Sequence, residues 1–361
     1  MQFHKLTIDK KVIETPDTMT IYFKVPGELK NQFVFDAGQY LTLAENIAGQ
    51  EIRRSYSICT PPHSNELATT IKRVAGGKMS TFIHSNWHSE NEVLVGTPEG
   101  KFTLKADPMA KRNLLFIAAG SGITPVMSMI KEVLENEPAT EMHLLYGSRN
   151  EDNIIFKEEL DRLVRKYQGQ LFVTHCLSQP KKEKAKGFSG LFKKAKSSWN
   201  GLAGRIDRKK IKAFLDECGK VDMAFLCGPG NLIELAEETL SNSGLKENLI
   251  HKEYFSAPGE KLPSDHVEGS ASNVTVHLNG NTITFETDGS KPILDELIAI
   301  KANPPYSCTS GACSTCLAKV TKGKAKMEVC YALDDDEIAQ GYILTCQAKA
   351  VTSELELNYI N

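Results

Sequence analysis

Toward the end of this 361-residue chain, Cys308-Thr309-Ser310-Gly311-Ala312-Cys313-Ser314-Thr315-Cys316 sets three thiols in a C-x4-C-x2-C loop, and Cys346 follows after 29 intervening residues. This is the spacing of plant-type [2Fe–2S] sites. One tight loop must wrap the cluster and present three thiolates. Small residues at Ser310, Gly311 and Ala312 let backbone N–H groups turn toward the bridging sulfides, where they stabilise an added electron. The competing occupant is a structural zinc ion, but zinc sites favour two close C-x2-C-like pairs over three ligands in one loop. The expected metal ligands are therefore Cys308, Cys313, Cys316 and Cys346. Cys330 lies off the pattern and reads as a plain thiol.

Four other segments suit phosphates and flat rings. Arg54-Ser55-Tyr56-Ser57 offers a guanidinium fork for a phosphate and an aromatic face for a ring. Gly76-Gly77-Lys78-Met79-Ser80-Thr81 precedes a predicted helix, and glycines before a helix N-terminus make a pyrophosphate site. Gly120-Ser121-Gly122-Ile123-Thr124-Pro125 follows an apolar strand and opens a helix, with proline where the first turn tolerates it. Its sixth position is proline, so it is not the G-x-G-x-x-G dinucleotide fingerprint. Cys227-Gly228-Pro229 ends a later strand, and ligands of open α/β sheets gather at such ends. Each signal is weak alone; their order along the chain gives them weight.

In that order, R-x-Y-S, G-x-G-x-x-P and C-G-P resemble the fingerprints of the ferredoxin–NADP reductase superfamily, here followed by a plant-type ferredoxin domain. The resemblance implies FAD, NADPH and a [2Fe–2S] cluster as cofactors. It implies that Arg54 pairs with the flavin phosphate, that Tyr56 packs along the isoalloxazine or ribityl chain, and that Ser57 hydrogen-bonds near flavin N5. Ser80, with Gly77 and the backbone of Lys78 and Met79, would make a second phosphate contact, which favours FAD over FMN. Lys72 and Val74 complete the expected flavin set. Gly120, Gly122, Thr124 and Pro125 would form the nicotinamide loop, with Cys227, Gly228 and Pro229 over the nicotinamide ring. Phe255 would shield the flavin and Glu253 assist nearby polar contacts, so the catalytic set is Ser57, Cys227, Glu253 and Phe255. Ser148 and Arg149, at the end of the second strand of the nicotinamide unit, suit the 2′-phosphate of NADPH, whereas Glu151 and Asp152 leave NADH open.

These residues need three units to position them. Through about residue 108, short strands of period-two alternation, such as Thr18–Val25 and Leu67–Val74, are bounded by turn residues and predict an antiparallel β-barrel. Over residues 109–256, buried apolar runs (Leu114–Ala119, Met142–Tyr146, Leu171–His175, Met223–Cys227) alternate with helical stretches such as Val126–Leu134 and Leu232–Leu240. That pattern predicts a parallel, doubly wound α/β sheet. Residues 257–272 read as a linker. From residue 273, strands Asn273–Leu278 and Thr282–Glu286, a helix near Pro292 and the cysteine loop predict an α+β, β-grasp ferredoxin unit. Residues 179–200 carry seven lysines against one acid, with Phe188, Leu191, Phe192 and Trp199 interspersed. They read as a solvated insertion or, alternatively, as a patch that docks an acidic partner or an anionic membrane surface.

A net charge of −2 favours no nucleic-acid partner, and no segment approaches the length of a membrane span. The N-terminus lacks the apolar core of a secretory signal, so the expected location is cytoplasmic, where nine cysteines would not form a disulfide framework. A ferredoxin domain placed last matches a subset of oxygenase reductases, most like those serving phenylacetyl-CoA epoxidases and ketosteroid hydroxylases. The implied activity passes NADPH electrons through FAD and the cluster, one at a time, to a partner oxygenase. The rival readings are a reductase for a membrane desaturase or another acceptor, and an iron–sulfur redox sensor.

Overall fold

The computed structural model describes residues 2–182, 199–256 and 267–360. Most of the expected basic insertion and linker lies outside these residues. Six strands open the chain: β1 (Phe3–Thr15), β2 (Thr18–Lys24), β3 (Tyr40–Ile47), β4 (Gln50–Ser57), β5 (Leu67–Lys72) and β6 (Glu92–Gly96). They form one antiparallel sheet in the order β4-β3-β6-β1-β2-β5. The sheet curls into a barrel where β4 runs out, because Ile58 bridges to Thr69 and the Cys59 N–H donates to the Ala68 carbonyl at 3.0 Å. Inward-facing Leu6, Ile8, Ile21, Leu41 and Leu43 fill it, and helix α1 (Lys78–Asn86) plugs one end through buried Met79 and Ile83.

The second unit is a parallel sheet. Its strands are β7 (Asn113–Ala119), β8 (Glu141–Ser148), β9 (Leu171–Leu177), the short β10 (Leu202–Ala203), β11 (Met223–Pro229) and β12 (Ile250–Ser256), in the order β10-β9-β8-β7-β11-β12. Helices α2 (Ile123–Asn136), α3 (Lys157–Lys166), α4 (Arg208–Cys218) and α5 (Gly230–Asn242) connect them. Successive crossovers from β7 go first toward β8, and the later strands return to its other side, so the order reverses between β7 and β11. In an open α/β sheet such a reversal leaves a ligand crevice at the carboxyl ends of the two strands. α2 is buried from Ile123 through Ile130 because it is wedged between this sheet and the barrel: its core cluster also contains Ala37, Cys59, Ala68, Phe102 and Leu104. The first two units thus share one continuous apolar core. Trp199, expected within a solvated insertion, packs against that core and donates its indole N–H to the Leu202 carbonyl at 3.0 Å.

The third unit has β13 (Ser272–Leu278), β14 (Asn281–Thr287), α6 (Ile293–Ala299), β15 (Leu317–Lys322), β16 (Ala325–Met327), α7 (Asp335–Ala339), β17 (Tyr342–Leu344), β18 (Ala348–Ala350) and β19 (Glu354–Tyr359). A mixed sheet of order β14-β13-β19-β15-β17 packs on α6, the β-grasp arrangement, with β16 and β18 as a separate pair. Among the described residues, its two apolar clusters contain no member of the other units, and no helix is long and apolar enough to cross a membrane.

Candidate functional site

A cavity of about 1770 Å³ runs from the end of β4, past the turn before α1, to the cysteine loop. Arg54, Tyr56, Ser57, Lys72, Val74, Gly77, Lys78, Met79 and Ser80 line its barrel side, Thr124, Glu253 and Phe255 its α/β side, and Cys308, Cys313 and Cys346 its far end. The turn at Gly76–Ser80 is held by its own bonds: Gly77 caps α1, its N–H donates to the Val74 carbonyl at 3.0 Å, and Ser80 Oγ accepts from the Val74 N–H at 3.1 Å. Lys72 sits 3.7 Å from Asp17, and Val74 is exposed. Arg54 lends one N–H to the Arg53 carbonyl at 2.6 Å and keeps other donors for a ligand. Burial pushes the Tyr56 hydroxyl up, so this ring is a neutral face.

Ser57 is buried, and its side chain acts on the Glu253 carboxyl. Glu253 as a residue is only partly enclosed, but its Oε2 is fully buried without a partner among the described residues. Loss of solvation pushes its carboxyl up to about 8, against which Ser57 pulls down. Phe255 is 39% exposed, a ring free to cover a ligand.

The two nicotinamide motifs meet at the switch between β7 and β11. Cys227 pairs with Ala118 across them, and on its other side faces Glu253 in β12. Gly122 has no room for a side chain: a Cβ there would stand 2.2 Å from the Cys227 carbonyl oxygen. Thr124 Oγ1 donates to the Ser121 carbonyl at 2.8 Å and the Tyr146 hydroxyl to the Gly120 carbonyl at 3.0 Å, fixing this loop, with Pro125 in the first turn of α2. Cys227 is fully buried, and desolvation first, then Glu253, drives its thiol up, so it is a neutral packing surface and not a nucleophile. Gly120, Gly122, Pro125, Cys227, Gly228 and Pro229 do not line the cavity; they form the shelf beside it. Ser148 and Arg149 also lie away from it, at the end of β8, where exposed Arg149 donates from Nε to Gln179 at 3.1 Å.

The four expected cluster cysteines converge. The Cys308 thiol interacts with those of Cys313 and Cys346, and the Cys316 thiol with that of Cys346. Among the described residues no three His, Cys, Asp or Glu side chains surround a single ion. The four thiols would supply the four thiolates that a [2Fe–2S] cluster requires. Two N–H groups point at the sulfurs, Ser310 N–H at 3.4 Å from Cys308 Sγ and Gln347 Nε2 at 3.8 Å from Cys346 Sγ, while Cys313 Sγ donates to Thr315 Oγ1 at 3.3 Å. Gly311 takes φ +72°, and a Cβ there would press on the Val329 carbonyl at 2.9 Å. β15 and β17 pair Leu317 with Leu344, which brings Cys316 beside Cys346. The donor set fits a [2Fe–2S] cluster.

Arg53, Ser55 and Tyr40, with Asn303, Tyr306, Ser307 and Thr315 opposite, also border this region, and motif reading does not find them. The available signal is the alternation of β4, whose polar Arg53 and Ser55 interleave with Arg54 and Tyr56.

What the barrel, the switch point and the ferredoxin unit define together is an NAD(P)H-dependent flavin and iron–sulfur oxidoreductase. Family models agree: residues 5–104 match an oxidoreductase FAD-binding domain, residues 116–238 an oxidoreductase NAD-binding domain, and residues 276–351 a 2Fe-2S iron-sulfur cluster binding domain. The chain is 35% identical over 363 residues to one of the subunits of 1,2-phenylacetyl-CoA epoxidase from Escherichia coli (strain K12), covering 99% of this chain and 98% of the relative. It is 32% identical over 364 residues to the ferredoxin reductase component of 3-ketosteroid-9-alpha-monooxygenase of Rhodococcus rhodochrous, covering 98% and 96%. Phthalate dioxygenase reductase shares the fold, with a TM-score of 0.59 at 23% identity over 99% of this chain and 98% of that one. The chain belongs to this family of three-domain electron-transfer reductases.

Proposed function

We propose that the protein draws electrons from NADPH and delivers them singly to a partner oxygenase of the phenylacetyl-CoA epoxidase type. The observation that carries this reading is the continuous cavity that has the flavin fingerprint at one end and three cluster cysteines at the other. The full-length relationship to an epoxidase component supports the partner; the ketosteroid monooxygenase type is the second candidate, on slightly lower identity.

When bound, FAD would take up one hydride, two electrons, and a [2Fe–2S] cluster would carry one electron at a time. The chain's own residues bind, orient and enclose. Arg54 and the Gly77–Ser80 turn hold the flavin phosphates, and Tyr56 gives a neutral face along the ring. The Gly120–Pro125 and Cys227–Pro229 loops bring the nicotinamide to the cavity mouth, where Phe255 covers the flavin and excludes water. Burial holds a proton at the Glu253 carboxyl, against the opposing pull of Ser57. Ser148 and Arg149 select the 2′-phosphate. Cys308, Cys313, Cys316 and Cys346 hold the cluster, and strong acid–base catalysis is not required. In this reading the units run over residues 1–108, 109–256 with the basic stretch 179–200, and 273–361 after the linker at 257–272. The location is cytoplasmic, where a reducing environment keeps the cluster thiolates available.

Anaerobic titration of the purified protein with NADPH, followed by absorbance and low-temperature electron paramagnetic resonance, tests the relay. The expected result is bleaching of a flavin band together with a rhombic [2Fe–2S] signal. A bleached flavin without that signal, in protein shown to contain iron, would overturn it. Support of substrate turnover by an epoxidase oxygenase component, measured beside a ketosteroid one, tests the partner.

A further inference from the structure

The flavin and nicotinamide units share an apolar core, whereas the ferredoxin unit keeps its own. Its seat on the barrel is a set of directed contacts, and the centre of that set is Arg53. This guanidinium is 7% exposed. It pairs with Glu51 at 2.7 Å, donates to Asn303 Oδ1 at 2.9 Å and to the Pro304 carbonyl at 3.4 Å, and lies over the rings of Phe3 at 4.9 Å and Tyr306 at 4.6 Å. Asn303 accepts this bond from a left-handed backbone, φ +50°, a conformation that asparagine tolerates better than other non-glycine residues. Two residues along β4, Ser55 Oγ meets Ser307 Oγ at 2.6 Å. On the neighbouring strand Tyr40, paired opposite Ser57, meets Thr315 Oγ1 at 2.8 Å.

The covalent order gives these contacts their meaning. Asn303–Ser307 leads directly into Cys308, and Thr315 lies between Cys313 and Cys316. On β4, Arg53 and Ser55 alternate with Arg54 and Tyr56 of the flavin fingerprint. A single strand therefore touches both redox sites on alternate residues. We propose that Arg53 is a positioning residue that docks the Asn303–Ser307 segment on β4 and so sets the flavin-to-cluster separation for intramolecular electron transfer. This rests on the flavin and cluster assignments above. A planar fork that stacks between two rings while serving two acceptors is a role lysine cannot fill. Without it, the acceptors of Asn303 and Pro304 lose their donors at a largely desolvated seam.

The test compares holoenzymes of wild type, Arg53→Ala and Arg53→Lys, each first matched for flavin and iron content. In anaerobic rapid mixing with NADPH, flavin bleaching should keep its wild-type rate in both variants. Growth of the cluster signal should slow by about tenfold or more in Arg53→Ala, the scale on which ångström misplacement acts, and by less in Arg53→Lys. Independently of turnover, hydrogen exchange of the backbone amides of Asn303, Tyr306 and Ser307 should quicken in Arg53→Ala. Wild-type cluster reduction with unchanged exchange would overturn the proposal. Should Arg53→Ala not accumulate as folded protein, Arg53→Lys decides alone: wild-type rate and exchange there would equally overturn it. A fault in the cofactor assignments would show separately, as failure of the wild type to reduce its cluster.

Discussion

The Ser57 side chain acts on the Glu253 carboxyl, favouring its ionised form, although the two residues come from different units, one ending a barrel strand and the other in the edge strand of the α/β sheet. In β12, Glu253 pairs with Cys227, so flavin and nicotinamide motifs converge on one carboxyl. Burial holds that carboxyl at about 8. It is protonated through most of the neutral range and stands where a proton can be stored beside the cavity.

This placement fixes the sign of a pH effect. Between about 4.5 and about 8 the folded protein keeps a proton on Glu253 that the unfolded chain releases. Stability from this group therefore falls as pH rises through that window, by at most about 1.4 kcal/mol per pH unit. Glu253→Gln removes this part of the slope. Denaturant midpoints of wild type and variant at pH 5, 6.5 and 8 should draw apart in the variant's favour as pH increases. Parallel midpoints across the range would show that the carboxyl titrates normally.

Gly122→Ala should separate the two nicotinamide loops. The new methyl would lie 2.2 Å from the Cys227 carbonyl oxygen and 2.9 Å from the Gly228 nitrogen, and both are backbone atoms that cannot swing aside. The variant is expected to retain FAD and its cluster but to raise the Michaelis constant for NADPH by about tenfold or more, since one loop must shift from the bound nucleotide. Steady-state kinetics with an artificial acceptor, alongside the flavin content, measure this. A kinetic constant equal to that of wild type would show that the loops can part without affecting the nucleotide.

How much of this is legible in the sequence depends on how local the chemistry is. The cysteine loop, Arg54–Ser57 and Gly120–Pro125 are legible because each gathers its groups within one turn or strand end, where spacing alone fixes geometry. The three-unit fold follows from the change of periodicity near residue 109 and the polar stretch before residue 273. The Arg53–Asn303 contact is not legible, since 250 residues separate the partners and an arginine beside a motif arginine carries no signature. The neighbourhood of Glu253 and Cys227 is hidden for the same reason: only the parallel pairing of β11 with β12 sets the two side by side. Trp199 misleads in the opposite sense, because a lysine-rich neighbourhood suggests solvent where the indole in fact meets the core.

Cys313→Ser isolates the last transfer. Cys313 joins Cys308 in one thiol pair and touches Thr315, while the flavin fingerprint stands on a different unit. The variant should lose cluster reduction entirely while NADPH still bleaches the flavin, as seen by absorbance and paramagnetic resonance on the same sample. Loss of both functions would mean that the ferredoxin unit is needed to hold the flavin.

Arg149→Ala addresses the choice of nucleotide. Arg149 is exposed at the carboxyl end of β8, engages its Nε in the bond to Gln179, and has buried Ser148 beside it. Glu151 and Asp152 stand two and three residues on, but both carboxylates are occupied with Lys181, through its backbone N–H and its ammonium respectively. With the acids turned to that lysine, the exposed guanidinium is the group suited to a 2′-phosphate, as a bidentate, charge-assisted pair. Removing it should raise the Michaelis constant for NADPH by about tenfold or more, the scale of one charged hydrogen bond, and leave that for NADH nearly unchanged. Parallel assays with the two nucleotides check this; equal effects on both would place the 2′-phosphate elsewhere and return NADH as the physiological donor.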